Sequence, residues 1–186
     1  MRYLKMIGFV AVVAALMTFA GSASANPLTS PEGTSYTSTI KAESSNFKLH
    51  GPFVTVECSQ SSFEGKVESH STTTAGGKLS SWAFSGCNYP VEVKKPGSLE
   101  LHATGAGNAT VTSTGAEISI ATSIGPCVFT TSATDTGTLT GSNATNATLD
   151  LSGSLPRTNG NSLCGSQGTL TGSYKVTTPG TLYVDS

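Results

Sequence analysis

Val91-Glu-Val-Lys-Lys-Pro-Gly-Ser-Leu-Glu-Leu101 recurs as Tyr174-Lys-Val-Thr-Thr-Pro-Gly-Thr-Leu-Tyr-Val184. Val93, Leu99 and Leu101 in the first copy, and Val176, Leu182 and Val184 in the second, keep the two-residue period of half-buried strands on either side of Pro-Gly. Pro-Gly suits the centre of a type II turn, with glycine where φ must be positive. Such turns do not match the twist of a two-residue hairpin, so these read as kinks or the beginnings of strands. The repeat suggests two related β units, about 52–103 and 121–184. A second echo, Gly137-Thr-Leu-Thr-Gly-Ser142 and Gly168-Thr-Leu-Thr-Gly-Ser173, has a spacing of 31 rather than 83, and two spacings are not one period.

Outward from these phrases the alternation continues. Tyr36 to Ala42, Val54 to Cys58, Phe63 to Val67 and Leu79 to Cys87 read as strands, the last with Trp82, Phe84 and Gly86 on one face. Ser71 to Lys78 reads as a polar loop. Further strands are expected at 91–94, 98–103, 109–113, 117–122, 127–130, 137–141, 147–155, 168–176 and 181–184. No window of a dozen residues has capped helical spacing, so almost no helix is expected. The fold class is all-β, an antiparallel sandwich or barrel-like domain of about a dozen short strands that buries one sheet face and leaves a hydroxyl-rich face in water.

Composition narrows the setting. Arg2 and Lys5, an apolar run from Met6 to Ala20 and the small residues before Asn26 form a secretory signal peptide over 1–25, with cleavage between Ala25 and Asn26. Removing it leaves 161 of the 186 residues, a single domain over 26–186 with eight basic and eleven acidic residues. That scattered net charge of −3 offers no footprint for nucleic acid or an anionic membrane. No later stretch has the roughly 20 apolar residues that a membrane span needs. Serine and threonine make about a third of the remaining chain, and charged residues are 11% of the whole against about 25% in ordinary domains. The expected location is extracellular, at the cell surface or in the periplasm.

Cys58, Cys87, Cys127 and Cys164 are an even set in an exported chain, which reads as two disulfides. Three connectivities exist. The sequential one, Cys58 with Cys87 and Cys127 with Cys164, is favoured because each pair closes a hairpin-like block leading into a Pro-Gly phrase. Loops of about 30 and 38 residues would each contribute about 3.5–4 kcal/mol through chain entropy. A zinc site needs close ligand pairs that this sequence lacks.

Signals for catalysis are weak. The elbow G-x-S-x-G is absent, and Ser45-Asn-Phe-Lys48 spells S-x-x-K without companion motifs, in an expected loop. His50, His70, His102, Asp135 and Asp150 are read as solvated surface groups, and the glutamates as charges that keep strand faces soluble. No catalytic residue, cofactor or metal is assigned, and no calcium loop is present. Trp82, just before Cys87, is read as core. Tyr89, beside Pro90, and Tyr183 are the candidate exposed contacts. Asn108, Asn143 and Asn146 begin glycosylation sequons, meaningful only in a host that modifies them.

Thr29-Ser-Pro-Glu-Gly-Thr-Ser-Tyr36, Cys58 with Phe63-Glu-Gly-Lys-Val67, Trp82-Ala-Phe-Ser-Gly-Cys87 and Gly172-Ser-Tyr-Lys-Val176 resemble uncharacterised small exported bacterial β proteins. More distantly the layout is similar to the alkane-oxidation activator proteins of the Pra type, exported factors associated with growth on hydrocarbons. The resemblance carries over no functional residue. It implies a non-catalytic binding or association protein, secreted or at the cell surface, acting on a protein partner or on a hydrophobic or amphiphilic surface, with self-association as an option. Two rivals are a fibre or pilus-like subunit donating Tyr36 to Ala42 to a neighbour's sheet edge, and an enzyme with a Ser/His/Asp site assembled in space.

Overall fold

The computed structural model describes residues 27–30, 33–105, 107–142 and 145–184, with the strand path but not the side chains at 133–136, 142 and 145. The expected leader, with Ala25 and Asn26 at its cleavage point, lies outside the described residues. Thirteen strands follow in order: β1 Leu28–Thr29, β2 Thr39–Ser44, β3 Phe47–His50, β4 Thr55–Lys66, β5 Ser69–His70, β6 Thr74–Cys87, β7 Val91–Lys95, β8 Ser98–Gly105, β9 Asn108–Thr122, β10 Gly125–Ser142, β11 Thr145–Gly160, β12 Gln167–Thr178 and β13 Tyr183–Val184. Among the described residues, the one helical element is a single 3-10 turn, Ser162–Cys164.

Eleven strands form one antiparallel sheet that closes on itself. Along the ring, β12 pairs with β11, then β10, β9, β8, β6 and β4, and β4 returns to β12 through β2 and β3. β2 and β3 together occupy one position between β4 and β12, and β7 and β8 one position beside β9. With β5 a side pairing on β6, the wall has eight staves, each antiparallel to its sequence neighbours. Of the two architectures that alternation allowed, the chain adopts the barrel. Eight staves enclose an interior that side chains nearly fill.

Several expected pairs of short strands are single long staves, because bulges let the chain change face without leaving the wall. Ala109, Val111 and Ser113 point inward, then Ala116, Ile118 and Ile120. The change of phase occurs at Gly115, whose φ of 70° is open to glycine. Opposite this bulge lies Pro96-Gly97. A Cβ on Gly97 would sit 2.5 Å from the Ala116 nitrogen, so the first Pro-Gly kinks one stave between β7 and β8, as expected. The second Pro-Gly leads from β12 on the barrel to β13, which pairs with β1 in a separate two-stranded sheet, and Gly180 is not at positive φ. The two phrases therefore share a role as kinks and differ in conformation.

Two expectations need correction. The segment read as a loop from Ser71 to Lys78 enters β6 at Thr74, its glycines serving close backbone approach: a Cβ on Gly77 would collide with the Lys66 carbonyl. Lys48 of the S-x-x-K sequence lies in β3, where short length hid the alternation of Phe47 and Leu49. The two disulfides are set differently: Cys58 and Cys87 face each other on paired strands, whereas Cys127 on β10 joins Cys164 of the 3-10 turn.

Inside the barrel, Phe47, Phe63, Trp82, Phe84 and Tyr174 form an aromatic cluster, with Phe47 and Phe84 centroids 4.4 Å apart and Phe63 and Tyr174 5.2 Å apart. Trp82 is core, as expected. Outside, hydroxyls and charges dominate: Thr138, Asp150 and Ser173 stand in one cross-strand row on β10, β11 and β12. Ion pairs Lys41–Glu64, Lys48–Glu57 and Lys95–Glu117 bridge adjacent staves. This is the inverse of the apolar outer band that lipid-facing barrels carry. Among the described residues no helix is long and apolar enough to cross a membrane.

Candidate interaction site

Both disulfides staple the same end of the barrel. Up-and-down order places the β3–β4, β6–β7, β9–β10 and β11–β12 connections together there. Cys58 binds Cys87, and Cys127 binds Cys164, the sequential pairing expected from sequence.

Each connection is held by polar groups. Gly51 donates to the Val54 carbonyl at 2.8 Å, closing the first turn. Asn88 continues the β4–β6 ladder, its side-chain oxygen accepting from the Glu57 amide at 2.9 Å and its Nδ2 donating to the Thr55 carbonyl at 3.0 Å. The last loop is fastened three ways. Arg157 donates to the Gly165 and Gly160 carbonyls, the Asn161 amide donates to the Ile124 carbonyl at 3.0 Å, and Asn161 Oδ1 accepts from the Leu163 amide at 2.9 Å.

These fastenings hold apolar side chains outward. Phe53 is 73% exposed, Leu163 50% and Ile124 40%. They are the large hydrophobic residues exposed among the described residues, and each comes from a different loop of this end. With Tyr89, Val54 and the Cys127–Cys164 bridge they surround a hollow of about 200 Å³. Scattered exposed leucines need no explanation, but a cluster on one tip of an otherwise hydroxyl-coated protein marks an interaction surface.

Of the two candidate contact tyrosines, Tyr89 lies at this hollow, half-buried. Tyr183 does not: it is buried, 6% exposed, in the β1–β13 ladder at the other end. Proximity to the C-terminus suggested exposure, but pairing with Thr29 encloses it. Phe53, Ile124 and Leu163 escaped the reading from sequence. Their signal was an apolar residue inside a turn sequence, as in Gly51-Pro-Phe-Val54, Ser123-Ile-Gly125 and Asn161-Ser-Leu-Cys164.

The residues weighed for catalysis are dispersed. His50 lies on β3 with Nδ1 2.8 Å from the Thr55 hydroxyl, His70 on β5, and His102 on β8 with Nε2 3.6 Å from Glu100. Asp150 is on the outer face of β11 opposite Ser173, and the side chain of Asp135 lies outside the described residues. Among the described residues no group of three or more His, Cys, Asp and Glu could hold a metal ion. Thr39–Ser44, covering much of the segment considered as a strand donor, is bonded on both edges, to β4 and to β12. Asn108 is exposed and Asn146 half-buried, while Asn143 lies outside the described residues.

No protein-family model, curated protein or solved structure matches the chain.

Proposed function

We propose that this is an exported, non-catalytic binding protein that adsorbs to hydrophobic or amphiphilic surfaces through the disulfide-stapled end of its barrel. The observation that carries the reading is the convergence of Phe53, Ile124 and Leu163 from three loops onto one tip. Fully burying such a side chain contributes about 1.5–3 kcal/mol. Because these three are already partly shielded, about 3–5 kcal/mol in all is available on contact. That suits reversible adsorption. Two disulfides are compatible with an oxidising compartment.

Charge selects the kind of surface. The tip cavity is lined by no lysine or arginine, so attraction to anionic headgroups is not part of the mechanism, and neutral lipid or an oil–water boundary is the expected target. Co-sedimentation with phosphatidylcholine vesicles tests this. The wild type should pellet with the vesicles, equally at low and high salt, and a Phe53→Ser, Ile124→Ser, Leu163→Ser variant should stay in solution. A wild type that remains soluble, or a variant that still pellets, refutes the reading. Vesicle-free controls separate adsorption from self-association through the same tip.

A further inference from the structure

At the opposite end of the barrel the lumen is incompletely filled. Beneath the terminal strands lies a cavity of about 90 Å³, with Phe63, Val111, Leu139, Leu149 and Leu182 among its walls. A second space of about 20 Å³ adjoins it, sharing Phe63, Leu79, Leu99 and Leu149. The space opens partly to solvent on the side of Lys66 and Lys78, whereas native interiors hold few voids larger than a water molecule. Gly65, Gly76 and Gly77 form part of its wall where β4 passes β6; they let the two backbones approach closely, since a Cβ on Gly65 would lie 2.9 Å from Leu79 Cδ2.

We infer that this lumen is a binding site for a compact apolar molecule, a small hydrocarbon or aromatic ring no larger than benzene. Size excludes larger ligands, because drug-sized molecules occupy about 300–1,000 Å³. An apolar cavity of about 150 Å³ is known to stay dry and to admit benzene or xenon. The larger space is lined almost wholly by apolar side chains and backbone, with Lys66 and Lys78 its charged residues. The polar groups in the smaller space, Ser113 and Thr131, are engaged, with Ser113 donating to the Thr131 oxygen at 3.1 Å and the Ala116 amide donating to the same oxygen at 2.9 Å.

Access is also marked. Leu28 and Leu182 cover the cavity from the segments carrying β1 and β13, a ladder of two residues per strand. The bridge between Thr29 and Ser35, the Tyr36 amide donating to the Leu28 carbonyl at 2.8 Å and the Gly107 amide donating to the Val184 carbonyl at 2.9 Å tie this cover to the barrel, and Leu28, Leu182 and Val184 are buried. Entry of a small guest past Leu28 and Leu182 therefore requires these terminal strands to loosen from the barrel.

Crystals of the protein pressurised with xenon provide the test, with benzene-saturated buffer as the second probe. Xenon should give a single lumen peak bounded by Val111, Leu139 and Leu149, and benzene should raise the unfolding temperature. Leu139→Phe, which fills the space, should abolish both effects, and the milder Ala75→Val should weaken them if the first variant does not fold. Ile124→Ser at the other tip should leave them intact. An empty lumen under xenon, ordered water in the cavity, or peaks that persist in the filled variants would overturn the inference.

Discussion

The Ser61 hydroxyl lies 2.7 Å from the Tyr174 hydroxyl, across 113 residues of sequence and inside the barrel. Trp82 donates its indole N–H to both, at 3.2 Å to Ser61 and 3.3 Å to Tyr174. Two successive staves, β4 and β6, and the distant β12 thus share one polar node within an aromatic cluster. Every member has a partner, and among the described residues no buried side-chain polar atom lacks one. A fully satisfied node of this kind specifies one arrangement of the core.

Burial pushes the Tyr174 hydroxyl up to about 12 from an ordinary 10.0, while the bonds to Ser61 and Trp82 work in the opposite direction. The folded state therefore retains a proton that the unfolded chain releases above about pH 10. Stability from this group is complete below pH 10 and is lost as pH rises toward 12, by about 2–3 kcal/mol in all. Urea midpoints at pH 8 and pH 11 should fall more in the wild type than in Tyr174→Phe. Equal losses would show that Tyr174 is not the responsible group.

Reducing the second disulfide should act on function before fold. Cys164 anchors the loop that presents Leu163, while the barrel ladder from β9 to β12 does not depend on it. A Cys127→Ala, Cys164→Ala variant should lose about 2–5 kcal/mol, keep its β-sheet circular dichroism at low temperature, and adsorb more weakly to neutral vesicles. Undiminished adsorption would place the contact elsewhere.

Gly165 has a φ of 80°, and a Cβ there would meet the ring of Pro52. Gly165→Ala should cost about 1–3 kcal/mol and move the first and last loops apart at the tip. Thermal unfolding and vesicle binding should both decline. A variant as stable as the wild type would mean the loops do not depend on this contact.

The barrel wall has a seam. β6 pairs with β8 only over Thr74–Lys78, and β7 pairs with β9. Among the described residues no ladder joins the second half of β6 to β7. Asn88 holds the chain to β4 and the Pro90 carbonyl accepts from the Ala121 amide on β9, which draws the two strands apart. Phe84, Val91 and Val93 are consequently half-buried. Alternate amides of 80–87 and of β7 should exchange with deuterium much faster than those of β11 and β12. Uniform protection would contradict the seam.

Period-two alternation in Leu149, Leu151 and Leu155, or in Leu170, Tyr174 and Val176, was legible because a strand's two faces are set by neighbouring residues. The candidate site was far less so. Tyr89 was found at the edge of the apolar tip, Tyr183 was misplaced, and Phe53, Ile124 and Leu163 lie in turns where no periodicity applies. Each is unremarkable alone and becomes a surface only when three loops meet.

By itself the sequence determined an all-β chain and the positions of most strands and favoured the sequential cysteine pairing, since local periodicity and spacing carry that information. Tertiary structure decided that the sheet closes as a barrel, that bulges at Gly115 and elsewhere fuse short strands into long staves, and that one end gathers apolar loops while the other encloses a cavity. Sandwich and barrel share the same alternation. They differ in which distant strands pair, as β12 does with β2 and β3, and such pairing depends on packing across the whole chain.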